Sequence, residues 1–277
     1  MTTPHPSPNP ASVAQHAPTC IGVFDSGVGG LSVLRSLRQQ LPNAPLLYVG
    51  DVSHAPYGER PAAEVMARCE RIVEHLIAQQ ARVIVVACNT ATAIGIEGLR
   101  QRWPQVRFVG VEPGVKPAAA ASRTGRIAVM TTPITAASAR LRELIERYAP
   151  RLHVHVQPCP GLAGAIERGQ LEGPTLTSIL RPFCEQMRAA NVDTVALGCT
   201  HYPFVAAGIA SLLGSEVTLI DTSAAVAQRV ASVAGGIGET EGPATVRVSS
   251  TGDRLTMQCL LDQSTGLAGT MVEHLAV

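Results

Sequence analysis

Short apolar runs alternate with helical patterns along most of this 277-residue chain, and this alternation restricts the fold more than any other feature. The runs IGVF, LLYVG, RVIVVA, RIAVM and TVALG have the length of buried strands, and a helical pattern follows each of them. Strands that alternate with helices predict parallel sheets with helices on both faces. The sequence therefore predicts the α/β class, and 46% hydrophobic residues suffice for a large core.

The chain also contains a weak internal repeat. Cys199 follows Cys88 by 111 positions, and the same offset aligns Val217 with Val106. The opening strands IGVFDS and IAVMTT match as well, with a five-residue gap. We therefore expect two similar α/β units, each of which delivers one cysteine from the end of an equivalent strand. Regular alternation of strands and helices alone would also give a weak repeat.

The charge pattern favours a small-molecule partner. The 22 basic and 21 acidic residues are interspersed, and the formal net charge is +1, unlike the basic surface of a nucleic-acid-binding protein. No apolar stretch reaches the length of about 18 residues that a membrane-spanning helix needs. The N-terminus lacks the pattern of a signal peptide. We expect a cytoplasmic protein that binds neither nucleic acid nor membrane.

The seven cysteines need separate explanations, because disulfides are not expected in a reducing cytosol. Residues 1–20 are rich in proline and lack periodicity, so we expect a disordered tail that includes Cys20. Cys69 and Cys184 lie on apolar helical stripes and are assigned to the core. Cys259 has no polar neighbours that suggest chemistry.

The sequence favours neither a metal nor an organic cofactor. The cysteine and histidine spacings contain no C-x-x-C, H-x-x-x-H or H-E-x-x-H motif, so no metal site is predicted. Lys116 is the single lysine, and it follows a Pro-Gly turn without the surroundings of a pyridoxal phosphate site.

Cys88 and Cys199 each stand where an apolar strand ends, in VIVVACNTATA and TVALGCTHYPF. Ligands of parallel sheets bind beyond the carboxyl ends of the strands. Asn89 and Thr200 are suitable N-caps for following helices, whose N-termini lower a thiol pKa and attract carboxylates. One such cysteine is more simply a small buried residue, but two at matching positions favour a reactive pair.

The loop DSGVGG at residues 25–30 follows the first strand. Its glycines allow backbone N–H groups to approach an anion, as in a carboxylate or phosphate cradle. Gly27 and Gly29 fit a dinucleotide fingerprint, but Ser32 replaces its third glycine. Asp51 lies near where a ribose-binding acid would be, so a nicotinamide-dependent dehydrogenase remains an alternative.

Three further polar features have both a structural and a functional interpretation. HAPYGER at residues 54–60 is more simply an ordinary turn. His201 is either a helix-start residue or an acid/base partner of Cys199. Glu167 follows a Pro-rich loop, and a surface charge is its default interpretation.

A pair of thiols from equivalent strand ends suits a reaction in which a proton leaves one face of a carbon and another arrives at the opposite face. This is racemisation by two bases, with one thiolate and one thiol whose roles exchange at each inversion. Helix N-termini would hold the substrate carboxylate and stabilise a carbanion-like transition state. Such chemistry requires no cofactor.

The segments GVFDSGVGGLSVL, YVGDVSHAPYG, ACNTATA, GVEP, LGCTHYPF and SSTGD occur in the order typical of the cofactor-independent aspartate/glutamate racemase family, which this chain resembles over residues 21–255. The resemblance implies interconversion of L- and D-glutamate, supplying D-glutamate for peptidoglycan. It also implies two pseudo-symmetric domains, each with a mainly parallel sheet, around a cleft that holds the active site. The domains would comprise 21–113 with 224–277, and 114–223. A homodimer is expected.

The resemblance also implies residue roles. Cys88 would act on the D isomer with help from Asp25, and Cys199 on the L isomer with help from His201 and Glu167. The implied substrate contacts are Asp25, Ser26, Tyr57, Gly58, Asn89, Thr90, Thr200 and His201. The segment CPGLAGAIERG around Glu167 is looser than the usual motif.

The resemblance leaves several alternatives to weigh. Aspartate racemases of the family usually carry an acidic residue in place of His201, so this histidine favours glutamate. A dehydrogenase or a binding protein would tolerate substitution of Cys88 and Cys199, and a thiol hydrolase would need only one cysteine.

Overall fold

We describe residues 19–237, 245–264 and 266–277 of a computed structural model of the chain. The predicted tail therefore lies outside the described residues as far as residue 18. Cys20 was wrongly placed in that tail, because it begins the first strand, pairs with Ala81 and is buried.

The strands are β1 (Cys20–Asp25), β2 (Leu46–Gly50), β3 (Ala81–Val86), β4 (Arg107–Gly110), β5 (Arg126–Thr131), β6 (His153–Pro158), β7 (Thr194–Leu197), β8 (Thr218–Ile220), β9 (Val246–Ser250) and β10 (Val272–His274). The helices are α1 (Leu31–Gln40), α2 (Ala62–Ala78), α3 (Asn89–Arg102), α4 (Val115–Ala121), α5 (Pro133–Ala137), α6 (Ala139–Tyr148), α7 (Leu162–Glu167), α8 (Gly173–Ala189), α9 (Ala206–Leu213), α10 (Ser223–Val233) and α11 (Leu255–Asp262).

Two parallel sheets organise these elements. The first has six strands in the order β10-β9-β2-β1-β3-β4, and the second has four in the order β6-β5-β7-β8. All recorded strand pairs are parallel. The α/β class with two parallel sheets is therefore confirmed.

The two sheets share an internal order that explains the sequence repeat. The order β2-β1-β3-β4 of the first sheet matches β6-β5-β7-β8 of the second. Cys88 follows β3 and Cys199 follows β7, so the two cysteines leave equivalent strands. The first sheet alone gains β9 and β10 from the C-terminal part of the chain. The division at residues 113/114 and 223/224 stays a prediction.

The strands are apolar because both faces of these sheets are covered. All six residues of β1 are buried, and β3 is buried except at Arg82. One core cluster includes Val23 of β1 and Val195 of β7, so apolar packing continues between the two sheets. Burial of each such side chain stabilises the fold by about 1.5–3 kcal/mol.

Several helix predictions differ from the structure at capping residues. The helical pattern after the run RIAVM covers residues 135–148 and predicts one helix. The structure has two helices there, because Ser138 has an extended backbone and its hydroxyl accepts a hydrogen bond from the Leu141 N–H. The helical pattern after the run TVALG covers residues 203–213, and this segment begins as a 3₁₀ helix at Tyr202–Val205. No element was predicted at α4, α7, β9, α11 or β10. In the described ranges, no helix is both long and apolar enough to cross a membrane.

Candidate active site

The segments at the carboxyl ends of β1, β3 and β7 meet between the two sheets, and we call this meeting place the cleft. Cys88 Sγ lies 3.9 Å from Ser26 Oγ, which belongs to the loop after β1. Thr200, directly after Cys199, donates its hydroxyl to Asp25 Oδ2 at 3.4 Å. The structure therefore brings both strand-end cysteine segments to the same loop.

Asp25 is the centre of this meeting point. Its carboxyl group is fully buried and accepts hydrogen bonds from the Gly30 N–H at 2.6 Å and from the Ser26 hydroxyl at 3.4 Å. Burial raises the pKa of Asp25, and the nearby Glu167 raises it further, whereas His201 opposes this rise. The site therefore disfavours a second negative charge beside Asp25.

Cys88 occupies the N-cap position of α3 with an extended backbone. Asn89 was predicted as this N-cap but is the first helical residue. Burial raises the pKa of the Cys88 thiol, the charge of Asp25 raises it further, and Cys199 adds to the rise. The predicted lowering of this pKa by the helix N-terminus is wrong because desolvation outweighs it.

Cys199 is the first member of a chain of polar groups. His201 Nδ1 lies 3.5 Å from Cys199 Sγ, and His201 Nε2 lies 2.5 Å from Glu167 Oε1. Burial lowers the pKa of His201, but Cys199 and Glu167 together raise it well above its usual value. The Glu167 side chain, at the end of α7, is only 9% exposed, so its default interpretation as a surface charge was wrong. His201 and not Thr200 is the N-cap residue of the 3₁₀ helix Tyr202–Val205, so the N-cap role predicted for Thr200 was also wrong.

The glycine loop binds the chain's own carboxylates. The Val28 N–H donates to Glu167 Oε1 at 2.9 Å, and the Gly30 N–H donates to Asp25. The predicted approach of backbone amides to an anion is therefore present, but these two amides are already bonded to protein carboxylates. The Tyr48 hydroxyl also holds this loop, because it donates to the Gly27 carbonyl at 2.6 Å.

The segment 54–60 is not the ordinary turn expected from its spacing. Tyr57 is fully buried, and its hydroxyl donates to Asp51 Oδ2 at 2.7 Å. Arg68 binds both oxygens of Asp51 at 2.9 Å, and Thr251 donates to Oδ1 at 2.8 Å. Burial raises the pKa of Asp51, but these hydrogen bonds hold it below its usual value. Asp51 is thus engaged by protein groups and is not placed as a ribose-binding acid.

Asn89 and Thr90 begin α3, directly after Cys88. The Thr90 hydroxyl lies 3.0 Å from the hydroxyl of Thr132, at the start of α5, and 3.4 Å from that of Thr135. Asn89 donates to the Val111 carbonyl at 3.3 Å, and its buried Oδ1 has no hydrogen-bond partner among the described residues. This oxygen is free to accept from a ligand.

Sequence reasoning missed several residues that shape the cleft. Thr132 contacts Thr90, and a Cβ on Gly58 would lie 2.7 Å from its side chain. Ser32, noted only as a departure from a fingerprint, donates its hydroxyl to the Thr200 carbonyl at 3.2 Å. Thr132 followed by Pro133, at the N-cap and first position of α5, is a helix-start signal that could have drawn attention to Thr132.

Three other cysteines, to which the sequence assigned no chemistry, are Cys69, Cys184 and Cys259. Cys69 and Cys184 are buried, which confirms their assignment to the core, and Cys259 is exposed. Burial raises the pKa of Cys69 and of Cys184. Over the described ranges, no group of three His, Cys, Asp or Glu side chains is arranged to hold a metal ion.

Comparison with known proteins defines the class. The family model Asp/Glu/Hydantoin racemase matches residues 21–230, and the chain belongs to this family. It is therefore an isomerase, and the dehydrogenase alternative is wrong.

Relatives within the family have a more specific activity. Glutamate racemase of Ectopseudomonas mendocina is 49% identical over 243 residues, which are 87% of this chain and 92% of the relative. Glutamate racemase of Pseudomonas aeruginosa is 51% identical over 213 residues, which are 77% and 80% of the two chains.

Solved structures agree with this class. Glutamate racemase isoform RacE1 of Bacillus anthracis superposes with a TM-score of 0.84 at 30% identity, over 95% of this chain and 99% of that one. Glutamate racemase of Escherichia coli, solved with L-glutamate and the activator UDP-MurNAc-Ala, gives a TM-score of 0.79 at 30% identity, over 94% and 99% of the two chains.

Proposed function

We propose that this enzyme interconverts L- and D-glutamate by a two-base mechanism without a cofactor, and so supplies D-glutamate for peptidoglycan. The single observation that carries the proposal is the position of Asp25. It accepts from Thr200 beside Cys199, and its charge raises the pKa of Cys88. Both cysteines therefore share one buried site, and the glutamate racemases among the relatives support the substrate.

In the proposed reaction, the Cys199 thiolate removes the α-proton of L-glutamate, and the Cys88 thiol delivers a proton to the opposite face. The reverse reaction exchanges the two roles. Protonated His201, held by Glu167, balances the charge of the Cys199 thiolate, whereas Asp25 assists proton transfer at Cys88. The remaining proposed substrate contacts are Ser26, Tyr57, Gly58, Asn89, Thr90 and Thr200. For Tyr57, whose hydroxyl is bonded to Asp51, the ring would supply the contact.

The decisive experiment incubates the purified protein with L-glutamate in D₂O and follows optical rotation and α-deuterium by NMR. Loss of rotation with deuterium in the D product supports the proposal. Racemisation without deuterium in the α position would contradict the two-base mechanism. Equal or faster racemisation of aspartate would favour the alternative that the chain is an aspartate racemase.

Substitution of the two cysteines tests their roles. Cys88→Ala and Cys199→Ala are each expected to lower kcat by at least about a hundredfold, because each removes one obligatory proton transfer. The matched control is Cys259→Ala, which removes an exposed thiol and should retain normal turnover. A variant at Cys88 or Cys199 with near-normal racemisation would remove that residue from the pair.

The family resemblance supports two further parts of the proposal. We propose that the enzyme works in the bacterial cytoplasm and that it forms a homodimer.

A further inference from the structure

The glycines of the loop after β1 are not required by backbone conformation. Ten glycines of the described chain have positive φ, among them Gly114 and Gly161, but Gly27, Gly29 and Gly30 do not. A residue with a side chain could adopt the backbone of this loop without strain. The reason for glycine at these positions is therefore space.

Side chains from the second half of the site fill that space. A Cβ on Gly27 would lie 1.9 Å from Glu167 Oε1 and 2.4 Å from its Cδ. A Cβ on Gly29 would lie 2.5 Å from His201 Nδ1 and 2.8 Å from Thr200 Oγ1. Glu167 and His201 thus pack directly against the bare backbone of the loop.

A continuous series of contacts leads from this loop to one thiol. The Val28 N–H donates to Glu167 Oε1, the same oxygen contacts His201 Nε2, and His201 Nδ1 faces Cys199 Sγ. Gly30 belongs to the other half of the site, because a Cβ there would lie 2.7 Å from the Cβ of Asp25.

We propose that Gly27 and Gly29 are positioning residues for proton transfer at Cys199, because their bare backbone and the Val28 N–H fix Glu167 and His201 in the orientation that faces this thiol. Gly30 has the corresponding function for Asp25 and Cys88. Different glycines of the loop therefore position the groups that assist each of the two bases. The kinetic tests of this inference rest on the proposed function, because they measure racemisation.

The test compares Gly27→Ala with Gly30→Ala and with Gly98→Ala. The last is a control on the exposed surface of α3, where an added Cβ would meet only Met66 at 3.8 Å. Gly27→Ala and Gly30→Ala should each lower kcat/KM by about tenfold to a hundredfold, since each misplaces an acid/base group. Gly98→Ala should retain normal turnover.

Deuterium isotope effects identify the affected base. The two enantiomers have equal free energy, so kcat/KM falls equally in both directions and cannot reveal it. In Gly27→Ala, removal of the α-deuteron by Cys199 becomes limiting, and the isotope effect of α-deuterated L-glutamate should exceed that of the D isomer. Gly30→Ala should show the opposite asymmetry. Slower turnover in both variants, with the same ratio of L to D isotope effects as in the wild type, would overturn the proposal.

A shorter acid tests the steric origin of the Gly27 effect. Glu167→Asp withdraws the carboxylate from the new Cβ, so Gly27→Ala combined with Glu167→Asp should lose less activity than the product of the two single losses. Strictly multiplicative losses would contradict contact between these positions.

Titration of His201 by NMR gives a readout that does not need turnover. His201 faces Cys199, Glu167 and Asp25, and the first two raise its pKa. Displacement of Glu167 in Gly27→Ala should lower the pKa of His201, whereas Gly98→Ala should leave it unchanged. An unchanged His201 titration in Gly27→Ala would overturn the positioning role. Absence of racemisation by the wild-type protein would instead contradict the proposed function, and the titration would still decide the role of Gly27.

Discussion

The nucleophilic and acid/base side chains of this site collect at the carboxyl ends of parallel strands, where ligands of such sheets bind. Asp25 ends β1, Cys88 follows β3, and Cys199 and His201 follow β7. The structure places all four around one cleft. Glu167 was different, because its segment follows no recognised pattern and only the family resemblance pointed to it. Its contact with His201 depends on packing between distant parts of the chain, which local sequence does not report.

The charge of Glu167 makes a prediction about pH. Glu167→Gln keeps the shape of the side chain but removes a charge that raises the pKa of His201. If protonated His201 supports Cys199, activity is lost as pH rises through the pKa of His201, and the variant should lose activity at lower pH than the wild type. We expect kcat/KM near neutral pH to fall about tenfold to a hundredfold. Polarimetric rates across pH measure both effects.

Glu74→Gln is the matched control, since Glu74 is exposed and forms its ion pair with Arg102 on the surface. Its pH profile should match that of the wild type. A Glu167→Gln profile that keeps its alkaline limb in place would contradict the role of this carboxylate.

At the scale of elements, apolar runs predicted the buried strands well, whereas several short or half-exposed elements were not predicted. Strand β2 matches its predicted bounds, but β10 has only three residues and two of them are exposed. The segment 54–60 was read as a turn because its contacts come from elsewhere. Asp51 connects it to Arg68 of α2 and to Thr251 after β9, and sequence spacing reports neither contact.

This connection predicts a large effect on stability. Arg68→Met removes the guanidinium group that binds the buried carboxylate of Asp51, which should cost about 3–5 kcal/mol in the free energy of unfolding. Urea denaturation at pH 7 measures the loss. The control is Arg71→Met, an exposed position on the same helix. Equal losses in the two variants would contradict a structural role for the pair.

The pH dependence of this loss has a defined sign. The pKa of Asp51 is lowered in the fold, so its pairing stabilises the protein above the unfolded pKa of about 3.9 and is lost as pH falls through the folded value. The deficit of Arg68→Met should therefore shrink in acid, where protonation removes the unpaired charge.

For the whole molecule, the repeat in the sequence predicted two equivalent units. It did not predict the strands added to the first sheet or the contacts between the two units. Residue spacing cannot indicate that β9 and β10 join the first sheet beside β2. This pairing joins segments that lie about 200 residues apart in the sequence. Spacing also cannot show which groups cross the cleft. Ser32 to Thr200 and Thr90 to Thr132 are such contacts, and they make one site from the ends of two sheets.

A ligand that bridges this cleft should stabilise the molecule as a unit. In a Cys88→Ser, Cys199→Ser variant, which should not turn over, L- and D-glutamate at a hundred times Kd should each stabilise the fold by about 2.7 kcal/mol. Thermal unfolding should then remain one transition whose midpoint rises with ligand concentration. Stabilisation by only one enantiomer would contradict a site that accepts both faces of the substrate. Equal stabilisation by aspartate would show that the cleft does not select the longer side chain, so specificity would have to arise in the proton-transfer step.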